Sequence, residues 1–159
     1  MSLDQDEFRS VLGRFASGVT VVTVADKRGR DYGITVTAFS SLSLEPPLVL
    51  VCIDHDASIR PALADASHFV VNILAAHQEA IARRFSEPEA EQRFEGVGFI
   101  RGQNGAAILE DVLASLECRL VQSVVGGDHT IFMGEVEAAS VRQDSPLLYY
   151  RGGYSQLDR

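Results

Sequence analysis

Two adjacent prolines, Pro46 and Pro47, divide the stretch Gly33–Val51, GITVTAFSSLSLEPPLVLV, and constrain the fold more than any other feature. Neither proline can donate to a β-ladder, and each restricts the residue before it, so regular pairing stops at Glu45-Pro46-Pro47. Before the stop, Thr35, Val36, Thr37, Ala38, Phe39, Ser40 and Ser41 are β-compatible, yet small and rich in hydroxyls. After it, Leu48-Val49-Leu50-Val51 is an all-apolar run, which reads as a strand buried on both faces. A hydroxyl-bearing strand beside a buried one suits a flat polar ligand. Backbone can approach closely there, and Thr and Ser supply donors and acceptors. A half-exposed strand whose Thr and Ser face water fits the same residues.

The 159 residues suit one domain, residues 1–159, with enough chain to bury a core without disulfide staples. The balance of 14 Lys+Arg against 22 Asp+Glu gives a net charge of −8. That argues against nucleic acid or an anionic membrane surface as partner, since both demand a basic face. A local cluster of donors would still serve a small anion. No stretch reaches membrane-span length and no signal pattern opens the chain, so a cytoplasmic protein is expected. Cys52 and Cys118 each sit in apolar runs and read as free buried thiols, a disulfide between them remaining open.

Asp4–Ser17 reads as an amphipathic helix with Phe8, Val11, Leu12 and Phe15 on one face and Gly18 as its stop. Val19–Ala25 is a β-branched strand, joined by the charged turn at 26–30 to the proline-divided stretch. Ile59–Asp65 and Ala76–Phe85 read as short helices, and His68–Leu74 as a strand. Glu87–Gly105 reads as mostly loop. Leu116–Val124 and Thr130–Ala138 form a hairpin, and Leu147–Tyr150 is a last strand. Helices do not alternate with strands as a parallel sheet requires, so an antiparallel barrel with helices outside is expected.

The candidate chemistry is dispersed. Asp54-His55-Asp56 puts neighbours on opposite sides of a strand, without a second ligand cluster, so no metal is expected. Ser58 precedes a helix, where it either caps the helix or binds an anion. Arg83 and Arg84 end a helix, complementing its dipole or reaching a phosphate. His129 follows Gly-Gly-Asp at a turn. There is no GxxxxGK[ST], no CxxC and no GxSxG, and Gly96-Val97-Gly98 is not a dinucleotide fingerprint.

Taken in order, FRSVLGRFASGVTVVT, GITVTAFSSLSLEPPLVLVCI, Ser58, HFVVNIL, ARRFS, GGDHTIFMGEV and PLLYYRGGY resemble the flavin reductase family. The resemblance implies a mainly β fold, a six-stranded antiparallel Greek-key split barrel with peripheral helices. It implies a homodimer that holds FMN or FAD at its interface. It further implies hydride transfer from NADH or NADPH to flavin, and delivery of reduced flavin to a partner monooxygenase. By position, Thr35, Val36, Thr37, Ala38 and Ser41 would line the isoalloxazine ring. Cys52, Ile53, Asp54 and Ser58 would follow the ribityl chain to the phosphate, and Arg84, Phe85 and Ser86 would complete that end. His129 would stand on the nicotinamide side as the catalytic-site residue, and Tyr149 to Tyr154 would close the pocket.

Such chemistry needs no protein nucleophile, because the flavin carries it and the protein supplies geometry and electrostatics. Stacking within reacting distance, about 3–3.5 Å, is the main demand. Backbone N–H groups at the ring edge would stabilise the reduced anion. An electron-transfer flavoprotein of the same fold that does not reduce free flavin would use the same residues. An oligonucleotide-binding barrel would need aromatic and basic stripes that this acidic chain lacks.

Overall fold

The structure, a computed structural model, describes residues 2–157. In chain order the elements are α1 Gln5–Leu12, β1 Ser17–Gly18, β2 Thr20–Ala25, β3 Asp31–Val36, β4 Phe39–Ser43 and β5 Leu48–Asp54. Next come α2 Arg60–Asp65, β6 His68–Ile73, α3 Glu79–Arg84, a 3₁₀ turn at Ala90–Gln92, β7 Phe99–Arg101 and β8 Ala107–Leu109. The chain closes with β9 Ala114–Gly126, β10 His129–Val141, β11 Leu147–Tyr150 and β12 Gly153–Gln156.

The main antiparallel sheet has seven strands in the order β3-β2-β6-β9-β10-β5-β4. Its two edge strands are consecutive in sequence and are separated only by Thr37 and Ala38. A two-residue link cannot span an open seven-stranded sheet, so the sheet curls until its edges nearly meet. The result is a split barrel with its seam at Thr37-Ala38. The count is seven rather than six because the Thr35–Ser41 stretch breaks at this corner into two strands.

The hydrophobic pattern explains the curl. Thr20, Val21, Val22, Thr23 and Val24 are all buried, Val22 and Val24 in the barrel core and Val21 in a second core beneath α3. β2 is therefore the strand buried on both faces. β5 is not, contrary to the reading of its all-apolar run. Val49, Val51 and Ile53 point into the core, while Leu48, Leu50 and Cys52 on the other face are half-buried. Cys52 is accordingly a half-buried free thiol, and only Cys118 is fully enclosed.

The hairpin of β9 and β10 runs longer than its apolar pattern, 13 residues a strand. It turns at Gly127-Asp128, where Gly127 adopts a positive φ of 64°. α1 is shorter than expected. It ends at Gly13, a poor helix former, and Ser17-Gly18 are claimed by pairing with Tyr149 and Leu148. None of its residues is buried, and Phe15 just beyond it is 80% exposed. Residues 87–105 are more ordered than a loop reading allows. Phe94 packs edge-on against Phe85 and Phe99 at centroid distances of 5.0 and 5.6 Å.

Candidate functional site

The seam opens a groove of about 690 Å³ whose lining includes Leu12, Phe15, Thr37, Ala38, Ser40, Leu50, Cys52, Tyr149 and Gly152. The pleat explains the composition. Leu50 and Cys52 are the outward residues of β5, and Ser40 pairs with Leu50 on the same face. Thr37 and Ala38 lie between strands and are exposed. Ala38 accepts from the Cys52 N–H at 3.0 Å, which ties the corner to β5. Among the described residues, no acceptor receives the N–H of Thr37 or of Ala38. Unspent backbone donors over an apolar floor, in a cavity of this size, fit a planar ligand with an anionic edge.

A second cluster lies at the end of α3. Thr35 donates its N–H to the Phe85 carbonyl at 3.2 Å and its hydroxyl to the Ala82 carbonyl at 2.6 Å, fastening β3 to this helix end. Ser86 donates to the same Ala82 carbonyl at 3.0 Å. Arg84 turns inward on its own chain and donates to the carbonyls of Gln92, Arg93 and Glu95. Arg93 then reaches back. Its guanidinium donates to Gly33 at 2.9 Å, twice to Glu87 at 3.0 and 2.6 Å, and to the Ser58 hydroxyl at 3.4 Å. Burial pulls the Arg93 pKa below its ordinary value, and the charges of Glu87 and Glu91 offset part of that.

The structure thus gathers the residues singled out in the sequence into two adjoining groups. Thr37, Ala38, Cys52 and Tyr149 share the groove. Thr35, Arg84, Ser86 and Ser58 meet around α3 and Arg93. Tyr154 bridges toward both. Its ring stacks edge-on to Tyr149 at 5.4 Å under the Arg83 guanidinium at 5.0 Å, and burial raises its phenol pKa, with the nearby Ser86 side chain opposing it. Val36, Ile53 and Phe85 point their side chains into the core, which leaves only backbone to face a ligand. Ser41 pairs with the inward residue Val49 and so lies on the opposite face from Cys52.

Asp54 caps its own turn, accepting the Asp56 N–H at 2.8 Å. His129 pairs with Asp54 across β5 and β10, on the outward face that carries Cys52 and Leu50. It lies beyond the groove lining and contacts Asp128 at 2.7 Å, which holds the Asp128 carboxyl below the usual range. Sequence reasoning missed Arg93, because a charged residue in a polar, glycine-rich stretch gives no sign of burial. The apolar residues Phe94 and Val97 beside it were the available clue.

The flavin reductase like domain matches residues 12–158. The reductase component of a 4-nitrophenol 4-monooxygenase/4-nitrocatechol 2-monooxygenase from Rhodococcus opacus is 43% identical, over 98% of this chain and 82% of that one. A flavin reductase (NADH) from Kitasatospora aureofaciens is 39% identical, over 97% and 82%. The Streptomyces globisporus NADH:FAD oxidoreductase, solved in complex with NAD and FAD fragments, has 36% identity and a TM-score of 0.93, covering 99% of this chain and 98% of that one. Relatives of this identity over nearly the whole chain make the protein an oxidoreductase. The chain belongs to the flavin reductase family.

Proposed function

We propose that this protein is an NADH-dependent flavin reductase that passes hydride to FMN or FAD and releases reduced flavin to a partner monooxygenase. The observation that carries the reading is the seam groove, where the free N–H groups of Thr37 and Ala38 stand over Leu50 and Cys52. When bound, the flavin ring supplies the hydride-accepting centre. The chain's own residues bind and orient. The N–H groups of Thr37 and Ala38 are preorganised to stabilise negative charge at the ring edge. Leu50, Cys52 and Tyr149 exclude water from one side. Ser58 presents its hydroxyl for the phosphate-bearing tail, Ser86 lies at the same end with its hydroxyl held by the Ala82 carbonyl, and His129 orients the nicotinamide substrate.

The working form is proposed to be a homodimer. Phe8, Val11, Leu12 and Phe15 are 52–80% exposed, and such an apolar face calls for a cover. Leu12 and Phe15 also line the groove, so a second copy would complete its wall. Among the described residues no helix is long and apolar enough to cross a membrane.

The test crosses NADH and NADPH with FMN and FAD in steady-state assays on purified protein. Rapid NADH oxidation that depends on added flavin is expected. Turnover that ignores added flavin, with flavin retained through gel filtration, would replace the reductase by an electron carrier. Sedimentation of wild type and Phe15→Glu tests the dimer.

A further inference from the structure

We propose that Arg93 is a positioning residue for the phosphate-bearing tail of the flavin, holding Ser58 as a polarised outward donor and supplying the positive charge behind it. The inference rests on the flavin reductase reading and goes beyond it in naming the cation.

Arg93 is only 7% exposed, although a buried guanidinium is costly unless anions or good acceptors surround it. Its hydrogen bonds all go to neutral acceptors, the carbonyls of Gly33 and Glu87 and the hydroxyl of Ser58. Those acceptors belong to the start of β3, the exit of α3 and the entry to α2, which are the segments that meet at the second cluster. A serine hydroxyl has one proton and two acceptor sites. With Arg93 donating to its oxygen, the Ser58 proton is left to point away from the guanidinium. Ser58 is itself exposed, so that direction is open to a ligand. A hydroxyl polarised by a cation is a stronger donor, and its natural acceptor is a phosphate oxygen.

Arg84 does not fill this role, because its guanidinium is spent on the carbonyls of Gln92, Arg93 and Glu95. Its effect is to hold the loop that carries Arg93. The two arginines therefore act in series, one fixing the segment and the other charging the site.

Equilibrium binding of riboflavin, FMN and FAD, followed by flavin fluorescence, separates tail from ring. Arg93→Lys and Ser58→Ala are each expected to weaken FMN and FAD about tenfold while leaving riboflavin within about twofold. The double variant is expected to be no weaker than the worse single one by more than about twofold, because both changes break one relay. Equal weakening of all three flavins by Arg93→Lys, or full additivity, would overturn the proposal. Should Arg93→Lys fail to fold, Ser58→Ala decides alone: a loss confined to the phosphorylated flavins supports the relay, and an unchanged FMN affinity sinks it. Wild-type protein that binds none of the three flavins would defeat the functional reading instead.

Discussion

The two faces of β5 carry the same kind of residue and do opposite things. Val49, Val51 and Ile53 face inward and are at most 7% exposed, whereas Leu50 and Cys52 face the groove. The difference lies in what stands opposite. Inward, Phe69 and Phe132 fill the barrel. Outward, Leu50 and Cys52 meet only the end of α1, Phe15, the Thr37-Ala38 corner and Tyr149 across the groove. The candidate site is thus a place where a strand paired on both edges has a core against one face and an open groove against the other.

Removing an inward side chain should be the most damaging way to probe this contrast. Ile53→Ala is expected to cost about 2–5 kcal/mol in urea unfolding, through lost burial and a residual cavity. Flavin affinity of the folded fraction should stay within about twofold. A large affinity loss without a stability loss would mean that the two faces are not separable.

The cysteines give the next test. Burial, with help from the charges of Glu137 and Glu117, pushes the Cys118 thiol up to about 12. The folded state thus keeps a proton that the unfolded chain releases near its ordinary pKa of 9.0. Stability from this group is complete below that pH and is lost as pH rises toward 12, by at most about 4 kcal/mol. Wild type should lose stability across this range more steeply than Cys118→Ala. Cys52, whose thiol burial also raises, should alkylate in the native protein while Cys118 reacts only on unfolding.

Filling the outward face should reverse the balance. Ala38→Leu, at an exposed corner position, is expected to change stability by less than about 0.5 kcal/mol. It should weaken flavin binding about tenfold by occupying the groove, which titration reads directly. The smallest effect is expected at the periphery. His129→Ala should raise the KM for NADH roughly threefold with little change in flavin affinity, the loss of one hydrogen bond at an open site. An unchanged KM would remove His129 from the site.

Much of the barrel was legible. The β-branched run Val19–Ala25, the alternation in His68–Leu74 and the Gly126-Gly127 turn reported strands and a hairpin through patterns that depend only on neighbours in sequence. The candidate site was legible as a set of segments. It was less so as side chains, because Val36, Ile53 and Phe85 proved to be core while Thr37, Ala38 and Cys52 lined the groove. One-residue register decides such assignments, and register is fixed by partners far along the chain.

Sequence alone determined that Pro46-Pro47 would interrupt pairing, that the chain would be acidic and mainly β, and which segments resemble the family. Only the tertiary structure decided that the seam would fall at Thr37-Ala38, and that β2 rather than β5 would be buried on both faces. It also decided that a buried Arg93 would stand behind Ser58. The reason is physical: propensity and turn chemistry act over a few residues, whereas burial and charge depend on what the closed sheet brings into contact.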